Sequence, residues 1–292
     1  MEDQIHDRLI VQADPILNEP VLVYALEGWI DAGLGAASAI TTLLMTCNTE
    51  ILATFDTEYF IDQRARRPMA RIVDGVTNEM TWPEIQLRYG HDGDGADVLF
   101  LVGPEPDFHW SDFADVVTEL ARHYGVRLVV GLGAFPAPAP HTRPIRVIGT
   151  APSPSSHLLA RVGTVPGEIE VPAGIGAVLE LDLAEVGIDV ITLWARVPHY
   201  VASMGYPLAA AALIDGLASV AGLTLDAGSL RESAEDARRR IDELISANPE
   251  HDAMVRQLES SLDAADPAVG ENLPSGDELA AELERFLRGE AD

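Results

Sequence analysis

The sequence predicts an α/β protein built on a doubly covered, mostly parallel sheet, and three observations carry that expectation. An apolar run, Val21-Leu22-Val23-Tyr24-Ala25-Leu26, breaks at Glu27-Gly28-Trp29-Ile30-Asp31-Ala32-Gly33 and continues as an Ala-rich helical pattern, which reads as strand, acidic glycine turn and helix. Asp97 to Val102 and Val126 to Val130 are continuous apolar strands of the kind buried on both faces, with a helical pattern between them. Ile188 to Val197 is another such strand, and an almost wholly apolar helix from Tyr206 to Ala221 follows it. Strands alternating with helices in this way specify a parallel sheet with helices on both faces.

In chain order, Ile5 to Gln12 and Pro20 to Leu26 read as strands joined through Asp14-Pro15 and Asn18-Glu19-Pro20, and a helix runs from Ala32 to about Cys47. Glu50 to Asp62 and Met69 to His91 alternate apolar and polar residues, with Asp74-Gly75 as a type I′ hairpin signal, so this region is expected to form an antiparallel flap. Ser111 is placed to cap a helix from Asp112 to His123, which Gly125 closes. Pro136 to Pro144 is a Pro-rich loop leading into the strand Ile145 to Ile148, and Gly174 to Val186 is a further helix. Residues 1–225 are therefore read as the α/β domain. Residues 226–292 are read as a helical C-terminal extension, with an amphipathic helix at Ser229 to Ser246, a linker at Ala264 to Gly276 and a last helix at Asp277 to Leu287. That last helix carries Leu279, Leu283, Phe286 and Leu287 on one face and is too short to be stable alone in water. Leu283, Phe286 and Leu287 are accordingly partner-binding candidates.

Composition narrows the function classes. The 292 residues are 47% hydrophobic and 23% charged, ordinary for a folded protein. Net charge is −28, from 47 acids against 19 bases, and every base is arginine. With no lysine there is no Schiff base and no P-loop lysine. The acidity argues against nucleic acid, whose affinity derives largely from cationic side chains displacing counterions. Cys47 is the only cysteine, so one chain can build neither a disulfide nor a thiolate metal site. The N-terminal Met1 to Arg8 has no basic or apolar signal region, and a cytoplasmic location is expected. Pro207 to Leu225 is long and apolar enough to suggest a membrane span, but Asp215 near its centre would cost roughly 3 kcal/mol there. A buried helix is expected instead.

Candidate site residues gather at turns that follow strands. Glu27 and Asp31 lie four residues apart across the first turn, within reach of a shared proton, metal or ribose hydroxyl. Asp31 is equally placed to cap the helix, and Glu27 to support the turn. Gly28 and Gly33 set backbone amides at the same helix start, where an anion binds readily, although neither a P-loop nor a Gly-x-Gly-x-x-Gly spacing is present. His199, in Arg196-Val-Pro-His-Tyr200, is the best general acid or base, or else a buttress of a strand end. His141 and Arg143 on the Pro-rich loop suit either an anion or an oligomer contact. No Gly-x-Ser-x-Gly elbow, His-Glu-x-x-His or dense Asp cluster occurs, so neither metal nor cofactor is expected.

The words Glu27-Gly-Trp-Ile-Asp-Ala-Gly33, Gly131-Leu-Gly-Ala134, Arg143-Pro144 with Gly149-Thr-Ala151, and Val197-Pro-His-Tyr200 occur in an order and at separations that resemble the PAC2, or proteasome assembly chaperone 2, family. The resemblance covers roughly Val21 to Leu230, and Leu273 to Leu287 looks like the actinobacterial branch. It implies a three-layer α/β/α sandwich of nucleoside-phosphorylase shape, often a homotrimer, whose archaeal and eukaryotic relatives help to assemble protein complexes. Several of those relatives end in a hydrophobic-Tyr-any-residue tail, whereas this sequence ends Arg288-Gly-Glu-Ala-Asp292. Two functions follow from different classes. One is an oligomeric, protein-binding, assembly-chaperone-like protein acting on a protein complex, proteasome-related by resemblance. The alternative is an enzyme of nucleoside phosphorylase or hydrolase shape acting on a small ribosylated or anionic ligand through Glu27, Asp31 and His199.

Overall fold

The apolar strands assemble into an eight-stranded sheet in the order β1-β3-β6-β7-β2-β8-β10-β9. The structure is a computed structural model and describes residues 7–265. The strands are β1 (Leu9–Val11), β2 (Val21–Glu27), β3 (Glu50–Phe55), β6 (Gln86–His91), β7 (Asp97–Pro104), β8 (Leu128–Ala137), β9 (Val147–Thr150) and β10 (Val190–Pro198), with β4 (Met69–Val73) and β5 (Val76–Thr81) forming a separate ribbon. The central strands β7, β2, β8 and β10 pair in parallel, and the flanking strands are antiparallel. The sheet is thus mixed, with its parallel part confined to the centre.

Alternation along the strands divides the interior into two layers. Val21, Val23 and Ala25 of β2 face one core, with helices α1 (Gly35–Thr46) and α5 (Pro207–Ala221) packed over it. Leu22 and Tyr24 face the other, under α3 (Trp110–His123) and α4 (Ile175–Glu185). This is the α/β/α sandwich that the pattern implies. The long apolar segment at Pro207 is the buried helix α5, and its Asp215 is held by Arg231 at 2.6 Å. Among the described residues no helix is long and apolar enough to cross a membrane. Cys47 is buried at the end of α1.

Several boundaries differ from the sequence expectation. The antiparallel flap is smaller: β3 and β6 belong to the main sheet, because Leu52, Phe55, Ile85 and Leu87 are buried in the second core. Only β4 and β5 stand apart. Their turn is the expected one, with positive φ at both Asp74 and Gly75. Helix α1 starts at Gly35, after a 3-10 turn at Ala32–Leu34. Helix α3 starts at Trp110 rather than Asp112, and Ser111 does not cap it. His109 takes that position in a left-handed conformation, its ring stacked on Tyr59 with centroids 3.9 Å apart. Strand β8 continues through Pro136, which pairs with Val197 of β10, so the Pro-rich loop is shorter and β9 lies two residues later than expected.

The remaining helices are α2 (Thr57–Phe60), α6 (Ser229–Ser246) and α7 (Pro249–Ala265). Helix α6 lies against α5 with Ala234 and Ile241 buried. The linker and last helix expected beyond Ala265, with Leu279, Leu283, Phe286 and Leu287, lie outside the described residues.

The middle of β8 is built from small residues because large rings from its neighbours lie against it. A Cβ at Gly131 would sit 2.3 Å from the Tyr24 ring, and one at Gly133 would sit 2.4 Å from the Trp194 indole. Gly131→Ala is expected to lower unfolding free energy by about 1–3 kcal/mol or more through overpacking. Gly205→Ala, at a position with nothing within 4 Å, is the matched control. Urea denaturation measures both, and equal midpoints would contradict the packing account.

Candidate functional site

Every loop singled out by sequence lies at the carboxyl edge of the parallel strands, where α/β sheets place their ligand sites. At the end of β2, the Glu27 carbonyl accepts from the Glu105 amide at 3.1 Å and from the Arg66 guanidinium at 3.3 Å. The Glu27 side chain itself is exposed, as is Gly28, whose Cα faces the Glu105 carboxylate. Asp31 accepts from the Ala36 and Ala37 amides at 2.8 and 3.0 Å and so caps α1. Burial raises its carboxyl above the ordinary aspartate range, outweighing the opposing amide bonds from Ala37, Ala36 and Gly35. No hydrogen bond joins the Glu27 and Asp31 carboxylates. Glu105, which sequence reasoning missed, performs the matching task for α4 by accepting from the Ile175 amide at 2.6 Å.

Gly33 ties this turn to the one after β10. Its amide donates to the Ala202 carbonyl at 2.7 Å, and its carbonyl accepts from the Tyr206 amide at 2.8 Å. The residue has φ of +65° and lies so close to Tyr206 that a Cβ would come within 2.7 Å of that side chain's own Cβ. Glycine is required here on both counts. The backbone amide is therefore committed to protein rather than open to an anion.

His199 begins the 3-10 turn His199–Val201, with its ring edge-on to Tyr200. Its Nδ1 is buried and has no hydrogen-bond partner among the described residues. His141 is fully engaged: only 2% exposed, it contacts Tyr200 Oη through Nδ1 at 2.6 Å and Asp242 Oδ1 through Nε2 at 3.0 Å. A carboxylate only accepts, which puts the proton of the neutral imidazole on Nε2 and makes Nδ1 the acceptor of the Tyr200 hydroxyl. That hydroxyl in turn accepts from the His141 amide at 2.8 Å. Burial raises the Tyr200 phenol to about 12. Arg143 turns its fork onto α7, meeting Glu259 at 3.1 Å and Asp263 at 2.8 Å. Thr142 donates to Glu259 as well. An incoming anion would have to displace both carboxylates from Arg143, so in this structure His141 and Arg143 hold the C-terminal helices to the sheet edge.

A second polar cluster lies under α4. Thr192 donates to the Glu180 carboxylate, Thr150 donates to it at 3.2 Å, the Tyr24 hydroxyl meets Thr192 at 2.7 Å, and the Trp194 indole donates to Thr150 at 3.0 Å. This converging set of donors ties α4 to β2, β9 and β10. The sequence signal for it is one acid amid apolar neighbours in Val178-Leu179-Glu180-Leu181. Among the described residues no serine, threonine or cysteine is hydrogen-bonded to a histidine, and no three His, Cys, Asp or Glu side chains gather as metal ligands.

Residues 25–245 match the model of the PAC2 family. The chain belongs to the PAC2 family. Its matched region runs from the end of β2 through α6 and includes the turns after β2, β8 and β10. A Mycobacterium tuberculosis protein of unknown function is 33% identical, with a TM-score of 0.83 over 98% of this chain and 97% of that one. A Mycobacterium tuberculosis proteasome-assembly chaperone homologue is 34% identical, with a TM-score of 0.74 over 80% of this PAC2 chain and 99% of its own. An archaeal proteasome activator from Pyrococcus furiosus shares the fold, with a TM-score of 0.61 at 17% identity over 81% of this chain and 97% of its own. A comparison with curated proteins gives no match.

Glu180 supplies a pH test of this reading. Burial holds its carboxyl above the ordinary glutamate value, outweighing the bonds from Thr192 and Thr150. The folded chain thus binds this proton more tightly than the unfolded chain does. The resulting stability is fully present below the ordinary value and is lost as pH rises through the elevated one. Glu180→Gln removes that loss, so the urea midpoint of the native chain should fall relative to the variant between pH 4.5, the ordinary value, and neutrality. Parallel pH curves would refute the assignment.

Proposed function

We propose that this PAC2 protein is an oligomeric, protein-binding factor with an assembly-chaperone role, acting in the cytoplasm on a proteasome-related complex. The observation that carries this reading is the 34% identity to a proteasome-assembly chaperone homologue across 99% of that chain. The carboxyl edge supports it. Asp31 caps a helix, Gly33 bonds two turns together, and His141 and Arg143 anchor α6 and α7. A site whose polar groups are spent on architecture has its remaining surface to offer, and proteins recognise surfaces. The reading carries a homotrimer, with Leu283, Phe286 and Leu287 as partner-binding residues.

Native pull-down with mass spectrometry and light scattering on the purified protein test the two parts together. The expected results are stoichiometric proteasome subunits or assembly intermediates in the pull-down and a particle of three 31.4 kDa chains in solution. Nucleoside phosphorolysis or hydrolysis that disappears in both His199→Ala and Glu27→Gln would transfer the function to the enzyme reading. A 31.4 kDa particle would remove the trimer.

A further inference from the structure

The ribbon formed by β4 and β5 is a surface waiting for cover. Every residue of both strands is exposed, including Met69 at 73%, Ile72 at 63% and Val76 at 60%. Trp82 just beyond is 44% exposed. A two-stranded ribbon is marginal in water on its own, and an apolar surface of this kind marks an interaction site. Its charge is also out of character with the rest of the chain. Residues 62–82 carry four arginines against three acids, in a protein whose net charge is −28. Arg64 and Arg67 are exposed and form no ion pair among the described residues.

Position narrows the occupant. Thr54 of β3 pairs with Gln86 of β6, which pairs with Val102 near the end of β7, so residues 56–85 leave and return at the carboxyl edge. The base of the ribbon is fixed there by Arg66, which reaches the Glu27 carbonyl and lies 3.5 Å from Asp107. Helix α7 ends at the same edge, with Asp263 on Arg143 of the loop that follows β8, the strand beside β2. The chain beyond it holds eight acids and two arginines in residues 266–292. Within it, Leu279, Leu283, Phe286 and Leu287 recur at helical spacing beside Asp277, Glu278, Glu282 and Glu284. Thirteen residues lie between Ala265 and Leu279, a reach of about 45 Å when extended.

We propose that residues 277–287 of the same chain dock on the β4–β5 ribbon, their apolar face against Met69, Val73 and Val76, which the strand register places on one face of it, and their acids against Arg64 and Arg67. The proposal does not depend on which protein the chain assembles with. It makes the ribbon the resting place of the segment carrying Leu283, Phe286 and Leu287, so a partner that takes up that segment also uncovers the ribbon.

Hydrogen exchange by mass spectrometry on the full chain tests it. In the native protein, amides of residues 69–81 and 279–287 should exchange about tenfold or more slowly than free chain, independently of protein concentration. Arg64→Glu with Arg67→Glu should remove protection from both segments, and Glu278→Arg with Glu282→Arg should do the same. Combining all four should restore it, which misfolding of either pair could not produce. Protection that survives either reversal, fails to return in the combination, or rises with concentration as docking on a second copy requires, would overturn the proposal.

Discussion

The architecture depends on how thin β8 is at its middle. Gly131 and Gly133 leave one face open to the rings of Tyr24 and Trp194, and Ala134 on the other face allows α1 to approach at Gly35, where a Cβ would lie 2.9 Å from that of Ala134. Close packing of this kind has no slack, since even one added methyl forces strain on its surroundings. With β8 fixed, β2 and β10 sit on either side of it in parallel register. The turns after those two strands then come near enough for Gly33 to bond both Ala202 and Tyr206. The words Glu27–Gly33, Gly131–Ala134 and Val197–Tyr200 that mark the PAC2 resemblance thus converge on the central strands and the edge they share, while Gly149 and Thr150 lie on the outermost strand β9.

The same convergence explains where polar groups are spent. Parallel strands deliver their ends, and the starts of the following helices, to one edge, where free amides and carbonyls need partners. Asp31 and Glu105 meet that need for α1 and α4, while His141, Thr142 and Arg143 carry α6 and α7. What remains uncommitted at this edge is chiefly apolar and exposed: Trp29, Leu34, Phe108, Met204 and the β4–β5 ribbon. An edge of that character suits contact with another polypeptide surface.

Much of the fold was legible because local signals agreed with the global structure. The β2 turn, the buried strands and the apolar helix α5 all announce themselves by period and by Gly punctuation. Alternation alone overstates the flap because β3 and β6 alternate just as a free ribbon does, and only the packing of Phe55 and Leu87 on α3 distinguishes them. The start of α3 differs from the pattern because a left-handed His109 stacked on Tyr59 outcompetes Ser111, a preference no local pattern records. The site was half legible. Asp31, Gly33, His141, Arg143 and His199 stand out by position after strands, but Asp242, Glu259 and Asp263, which engage His141 and Arg143, sit on charged helices with no local sign of a partner. Those partners are about 100 residues or more away in sequence, and no spacing rule reaches that far.

At this edge Asp31, Glu105, His141 and Arg143 hold turns and helices to the sheet. The His141–Asp242 pair shows this most sharply, joining a buried imidazole after β8 to a carboxylate on α6 at 3.0 Å. A double-mutant cycle with His141→Ala and Asp242→Ala, read by urea unfolding at neutral pH, measures it directly. The account predicts that each single change destabilises the fold and that the two couple by about 1 kcal/mol or more. Additive changes with no coupling would contradict it.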